Sequence, residues 1–219
     1  VKDGQLMRAK DDNKDQSYFL SQVSKEQLKN VLFPIGDMIK PDVRKIAEEY
    51  DLVTAKKKDS TGICFIGERN FSNFLKNYLP NQPGDIVDIK TGKKVGNHIG
   101  LMHYTIGQRK GLGISYKVPL FVLGFNKAKN EVIVGEEKEL YKKEITVSDI
   151  NLLLVDKIEE TMEVDVKTRY SSKVAKAKIE QDGENIKVTF DEPQRAITPG
   201  QSAVFYVGDI VLGGGKIKC

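Results

Sequence analysis

Apolar positions follow two different rhythms along this chain. Through the first third they recur at helical intervals, and from residue 85 they gather into short runs separated by turn signals about every ten residues. Ser24-Lys25-Glu26-Gln27 has the S-x-x-Q form of a capping box, and Leu28, Val31 and Leu32 follow at i, i+3 and i+4. Phe33-Pro34-Ile35-Gly36 breaks that helix. Pro41 suits a first helical turn, Asp42 complements the dipole there, and Val43, Ile46, Ala47 and Tyr50 predict one buried stripe. A third helix is predicted around Phe71, Phe74, Leu75, Tyr78 and Leu79, ended by Pro80 and the Gln82-Pro83-Gly84 turn. Beyond it the pattern is that of strands. Ile86, Val87 and Ile89 lead into Thr91-Gly92, and the runs 121–125 and 132–134 flank a hairpin turn at Lys129-Asn130. Further strands are predicted at 145–151, 162–169, 174–180, 186–190, 203–207 and 210–212, with turns at Asp182-Gly183 and Gly208-Asp209. Six short strands in so short a stretch predict a small closed barrel.

Composition narrows this picture. The 219 residues carry 35 Lys and Arg against 31 Asp and Glu, a net charge of +4 that permits nucleic-acid binding without demanding it. A hydrophobic share of 39% with 30% charged residues excludes disorder. The length allows one large domain or two to three small ones. No apolar run is long enough for a membrane helix, so no membrane partner is expected. No signal-peptide pattern opens the chain, which points to the cytoplasm, and a start at Val1 rather than methionine suggests a processed chain or an excerpt. Two cysteines, Cys64 and Cys219, cannot build a disulfide framework.

A single internal cysteine in such a protein is a candidate nucleophile. Cys64 follows Lys56-Lys57-Lys58-Asp59-Ser60-Thr61-Gly62-Ile63 and precedes Phe65-Ile66-Gly67-Glu68-Arg69. Positive neighbours favour the thiolate, and Ser60, Thr61 and Gly62 are loop formers. The plainer alternative is a small buried hydrophobe between Ile63 and Phe65. His98 and His103 stand five apart with no cysteine pair, so ordinary loop or core histidines are expected and no metal site. Gly107-Gln108-Arg109-Lys110-Gly111-Leu112-Gly113 is basic and glycine-rich, as a phosphate-approaching loop would be, but it lacks the Lys-Ser/Thr ending of a P-loop. Gly213-Gly214-Gly215-Lys216 also has the wrong spacing, and a tight turn between strands is expected at both places. The segment Asp12 to Leu20 combines lysine, amides and the aromatic pair Tyr18-Phe19. It reads either as a phosphate- and base-contacting element or as a polar loop entering a helix at Tyr18. Arg169-Tyr170 pairs a cation with a stacking ring, or is simply a strand end.

Five strings carry a more specific signal. They are Lys14-Asp15-Gln16-Ser17-Tyr18-Phe19-Leu20 after Asp12, Lys40-Pro41-x-Val43-Arg44-Lys45-Ile46-Ala47, the run from Thr54 through Ser60-Thr61-Gly62-Ile63-Cys64 to Arg69, Gly107 to Gly113, and Thr198-Pro199-Gly200-Gln201-Ser202-Ala203. In this order they closely resemble the tRNA-specific 2-thiouridylases, once labelled tRNA (5-methylaminomethyl-2-thiouridylate)-methyltransferases, over essentially the whole chain. The resemblance implies an α+β, multidomain chain. Residues 1–63 would be the helical remnant of a PP-loop ATPase domain, 64–138 a small central β-rich domain and 139–219 a C-terminal antiparallel β-barrel. It implies a sulfurtransferase that places sulfur on C2 of the wobble uridine of tRNA. ATP, with magnesium, would adenylate the C2 oxygen, and a cysteine persulfide on Cys64 would deliver the sulfur. A second cysteine in the nucleotide-binding domain would complete the transfer. The family's tRNA contacts fall on Lys14, Asp15, Gln16, Arg169, Tyr170 and Gln201. The partners implied are tRNA and a sulfur-relay donor protein.

The family's S-G-G-x-D-S loop does not occur in these 219 residues, and Cys219 does not match the second cysteine. The expectation is therefore a chain with tRNA-binding and persulfide elements, without an ATP site or other cofactor of its own, and inactive alone. Two alternatives are a non-catalytic tRNA-binding barrel and a sulfur-relay interaction fragment. No βαβ unit opening on a Gly-rich loop for S-adenosylmethionine is visible, which sets aside the methyl transfer of the older label.

Overall fold

Alternating burial after residue 140 closes a sheet on itself. The structure is a computed structural model that describes residues 1–57, 78 and 80–218. The expected helix around Phe71 to Leu79 and the Cys64 loop lie outside the described residues, as does Cys219. The described helices are α1 (Ser17–Leu20), α2 (Lys25–Leu28) and α3 (Lys40–Glu49). The strands are β1 (Gly84–Asp88), β2 (Lys94–His98), β3 (Phe121–Asn126), β4 (Glu131–Gly135), β5 (Tyr141–Leu152), β6 (Met162–Lys167), β7 (Ala175–Asp182), β8 (Asn185–Arg195), β9 (Ser202–Val207) and β10 (Ile210–Ile217). The chain divides into two compact units, one of residues 1–57, 143–194 and 198–219 and one of residues 58–142 and 195–197.

The first unit is built on a closed antiparallel barrel in the order β10-β5-β8-β7-β6-β9, the six-strand closure that the turn spacing predicts. Every second residue of β8 from Ile186 (Ile186, Val188, Phe190) is fully buried. Two of them stand opposite buried partners in β7, with Ala177 beside Phe190 and Ile179 beside Val188. Such same-face pairs each remove apolar area worth about 1.5–3 kcal/mol per large side chain. Strand β9 breaks the alternation, because Ala203, Val204, Phe205 and Tyr206 are all buried. One face of β9 is covered by the barrel interior. The other is covered by the N-terminal segment, where Leu6, Tyr18 and Leu28 cluster with Val204, Tyr206 and Val211. Backbone bonds tie that segment to the start of β10: Val211 N–H donates to Leu6 O at 2.8 Å and Arg8 N–H to Asp209 O at 2.8 Å.

The Gly213-Gly214-Gly215 run corrects an expectation. It lies inside β10 rather than in a turn. A Cβ on Gly213 would come within 2.3 Å of Asn151 O, one on Gly214 within 2.5 Å of Ala203 O, and one on Gly215 within 2.4 Å of Ser148 O. The barrel seam therefore brings backbones closer than any side chain allows.

The predicted capping box forms at α2: Ser24 accepts from the Gln27 N–H and Gln27 reaches back to the Ser24 N–H. The helix stops at Leu28, however, and Val31 and Leu32 are exposed. Helix α3 starts with Pro41 and Asp42 in its first turn as predicted. Its apolar stripe is not buried: no residue of α3 is, and Ile46 and Tyr50 are 42% and 75% exposed. Periodicity makes the helix, but burial depends on what packs against it, and among the described residues Val43 and Ala47 are only half-buried.

The second unit holds a four-stranded mixed sheet in the order β2-β1-β4-β3. The β3–β4 hairpin turns at Lys129-Asn130, where Asn130 adopts a left-handed φ of 53°. Strand β4 pairs parallel to β1. Ile86, Val122, Val132 and Val134 form the core with Leu112 and Leu120 from the long β2–β3 connection. No helix among the described residues is long and apolar enough to cross a membrane.

Candidate functional site

Three stretches far apart in sequence meet on the barrel unit. They are the loop before α1 (Lys14 to Gln16), the loop after β6 (Arg169-Tyr170) and the turn before β9 (Thr198 to Gln201). The Gln16 side-chain amide donates to the Tyr170 hydroxyl at 3.2 Å, a contact between residues 154 apart. Arg169 donates to Thr198 Oγ1 at 2.6 Å. Tyr18 OH donates to the carbonyl of Ser202, the neighbour of Gln201, at 3.0 Å. The six residues singled out by sequence thus occupy one region: Lys14, Asp15, Gln16, Arg169, Tyr170 and Gln201.

Asp15 organises the loop from inside. It is buried; one carboxylate oxygen accepts from Ala9 N–H at 3.1 Å and Ser17 N–H at 3.0 Å, and the other from Ser17 Oγ at 2.7 Å. Ser17 Oγ in turn meets the Tyr206 hydroxyl at 3.3 Å. Burial raises the pKa of both Tyr206 and Tyr18 above the ordinary phenol value, which keeps their hydroxyls protonated as donors. With Asp15 pointing inward, Lys14 and Gln16 are left on the outer side of the loop, and both are exposed.

The outer side is aromatic. Phe19 stacks on Tyr170 with ring centroids 4.8 Å apart and an interplanar angle of 30°. It also meets Tyr18 edge-on at 5.3 Å. Phe19 is 56% exposed, so a large apolar ring is held between two others with much of its surface in water. Lys167 Nζ lies 5.5 Å from the centre of the Tyr170 ring. Arg8 places its guanidinium 4.1 Å from the centre of the buried Tyr206 ring. Rings, amides and cations in this combination can stack a base and neutralise phosphates. The sequence marks Tyr18-Phe19 as an aromatic pair but does not tell the buried ring from the exposed one, and it gives no sign of Lys167 or Arg8. The ring partner of Arg8 comes from β9, which no local spacing reveals, while Lys167 stands at the end of β6, three residues before Tyr170 and outside the Arg169-Tyr170 pair.

The remaining candidates that are described lie in the second unit. His98 is buried; its Nδ1 accepts from Gly100 N–H at 3.1 Å, so Nε2 carries the proton given to Asn130 O at 2.9 Å. His103 Nε2 meets the exposed Asn81 side chain at 3.0 Å. Among the described residues no group of His, Cys, Asp and Glu could hold a metal ion. The Gly107 to Gly113 stretch is a loop, with positive φ at Gly107, Gly111 and Gly113.

Three family models match the chain in succession. Residues 1–68 match the tRNA methyl transferase HUP domain, 72–136 the tRNA methyl transferase PRC-barrel domain, and 142–217 the aminomethyltransferase beta-barrel domain. The tRNA-specific 2-thiouridylase MnmA of Staphylococcus saprophyticus is 52% identical over 218 residues, covering 97% of this chain. That of Pseudomonas aeruginosa is 49% identical over 222 residues, covering 98%. That of Staphylococcus aureus is 50% identical over 220 residues, covering 97%. In each case the match covers 59% of the relative, so the chain spans about three fifths of the length of these curated relatives.

Proposed function

The chain belongs to the tRNA-specific 2-thiouridylase family, and from that premise we propose that it grips tRNA and carries the sulfur for wobble-uridine thiolation. The observation that carries the reading is the meeting of Gln16 with Tyr170, and of Arg169 with Thr198 in the turn that holds Gln201, beside an exposed Phe19–Tyr170 stack. Lys14 and Arg169 supply charge toward phosphates, Gln16 and Gln201 supply amides, and Tyr170 supplies a stacking face. Asp15 acts through the loop, fixing Lys14 and Gln16 on either side of it.

Cys64 is the persulfide carrier in this reading. Its charged, loop-forming neighbourhood suits a thiolate that accepts a sulfur atom from a donor protein and presents it to RNA. In the whole enzyme ATP, with magnesium, would activate the C2 oxygen of the uridine by adenylation. The outer sulfur on Cys64 would then bond to C2 as AMP leaves, and a second cysteine thiol of the nucleotide-binding domain would attack the Cys64 sulfur, forming a disulfide with it and releasing the 2-thiouridine. The HUP family match to residues 1–68 fits nucleotide use of this kind. Residues 1–63 act in this scheme as part of that nucleotide-binding region, 64–138 as the central domain and 139–219 as the barrel. The S-G-G-x-D-S string is not in the 219 residues, so this chain alone binds tRNA without thiolating it, and it works in the cytoplasm, where tRNA is modified.

The test is mass analysis of the chain after exposure to a persulfide donor, followed by addition of unmodified tRNA. A gain of one sulfur atom on Cys64, absent in Cys64→Ser, is the expected result. Sulfur on Cys219 alone, or on neither cysteine, would overturn the carrier role. ATP-dependent 2-thiouridine formation by this chain alone would overturn its dependence on a separate ATP site.

A further inference from the structure

The second unit carries an unused surplus of positive charge. Between Asp88 and Glu131 the sequence contains Lys90, Lys93, Lys94, Arg109, Lys110, Lys117, Lys127 and Lys129 and no acidic residue. Sheet topology sorts these cations into two ends. The parallel pairing of β1 with β4 sets Asp85 beside Glu131 and Asp88 beside Val134. The Lys127 and Lys129 turn therefore lies at the Asp85 end and the Lys90 to Lys93 turn at the other. The long β2–β3 loop joins that second end. Gly107 N–H donates to Val122 O at 2.7 Å and Val122 N–H to Gln108 O at 2.9 Å, at the start of β3, where Val122 pairs with Val134. Tyr116 shares a hydrogen bond with Asp88.

The acids at this end are already committed. Asp88 is buried and accepts from Lys90 N–H at 2.8 Å and Thr91 N–H at 2.9 Å. Glu136 and Glu139 bind Lys90, and Glu137 binds Arg195 at 3.2 Å. Lys93, Arg109, Lys110 and Lys117 are exposed, and no ion pair among the described residues holds any of them. The loop that presents three of them is not slack. Leu112 and Leu120 are buried in the sheet core, Gln108 Oε1 accepts from Thr105 N–H at 3.0 Å, and its amide donates to Lys110 O at 2.9 Å. The half-exposed Tyr116 ring adjoins Lys117.

We infer that this end of the central sheet, through Lys93, Arg109, Lys110 and Lys117, is a second RNA-phosphate contact surface, separate from the barrel site. The inference rests on the tRNA-binding reading above and extends it to the other unit. Exposed cations on an ordered loop that also carries a ring, with the carboxylates at this end already engaged by Lys90, Thr91 and Arg195, suit a repeating polyanion that also offers stackable bases. An acidic protein would satisfy the charges but not the ring and the open glycine backbone.

The test uses the full 219-residue chain and unmodified tRNA, with affinity read by fluorescence anisotropy across a salt series. Replacing all four residues by Gln should make the plot of log affinity against log salt shallower by about 3, at about 0.7–0.9 for each phosphate no longer neutralised. The doubles Arg109→Gln/Lys110→Gln and Lys93→Gln/Lys117→Gln should each give about half of that, which keeps the test open if the quadruple variant misfolds. Lys127→Gln/Lys129→Gln removes charge from the opposite end and should leave the slope unchanged. A slope unaltered by the patch variants, or reduced as much by the Lys127 and Lys129 pair, overturns the surface. Failure of the unaltered chain to bind tRNA overturns the functional reading itself and the surface with it.

Discussion

Asp15→Ala is the sharpest perturbation of the barrel site, because one side chain holds its loop. The carboxylate accepts three hydrogen bonds, from Ala9 N–H, Ser17 N–H and Ser17 Oγ, and it is buried. Hydrogen bonds to a charged group contribute about 1.5–3 kcal/mol each, and two of these share an oxygen, so they do not add fully. Alanine also leaves the Ala9 and Ser17 N–H groups without their acceptor. The expected loss is about 3–5 kcal/mol, a large part of a typical domain's ~5–15 kcal/mol. Asp15→Asn keeps an acceptor on one side only and should lose about 1–2 kcal/mol. Urea unfolding of the full chain, followed by far-ultraviolet circular dichroism, reads the effect. The transition that contains the barrel should move while that of the sheet unit stays in place. A change within about 0.5 kcal/mol would refute the reasoning, because it is the size expected of an ordinary surface substitution.

Other outcomes follow from the same geometry. Phe19→Ala and Tyr170→Ala should each weaken tRNA binding on the order of tenfold in an anisotropy titration, since a base–ring stack is worth about 1–3 kcal/mol. Gly214→Ala should destabilise the barrel by about 2–3 kcal/mol in the same urea assay, because its Cβ would meet Ala203 O at 2.5 Å. The backbone N–H of Thr91, followed by that of Lys90, holds the Asp88 carboxyl below the usual range. A depressed carboxylate stabilises the fold above about pH 4 and loses that contribution as pH falls through its folded value. Asp88→Asn should therefore flatten the fall in stability of the sheet unit on acidification, measured by thermal melts across the acid range.

Much of the fold is legible in the sequence because it is locally encoded. The S-x-x-Q string is the α2 capping box, and the turn dipeptides mark hairpins of a closed six-strand barrel. What the sequence hides depends on distant partners. The Val43, Ile46, Ala47 and Tyr50 stripe predicts a helix correctly but says nothing about whether anything covers it. Gly213 to Gly215 looks like a turn in sequence, and only the approach of β5 and β9 on either side explains three glycines inside a strand. At the candidate site, the family resemblance points to residues 14–16, 169–170 and 201, whereas Phe19 gains its place only from Tyr170, which stacks on it from far along the chain. The continuous burial of Ala203 to Tyr206 likewise reflects a second covering layer from Leu6, Tyr18 and Leu28.

Hydrogen–deuterium exchange of the chain with and without unmodified tRNA tests the central claim most directly. Exchange reports protection segment by segment and needs no substitution. New protection is expected in the loop before α1 and in α1, at the end of β6 and in residues 168–170 that follow it, and at the turn before β9 that holds Gln201. Protection confined to other parts of the barrel, or none at all with saturating tRNA, would contradict the claim.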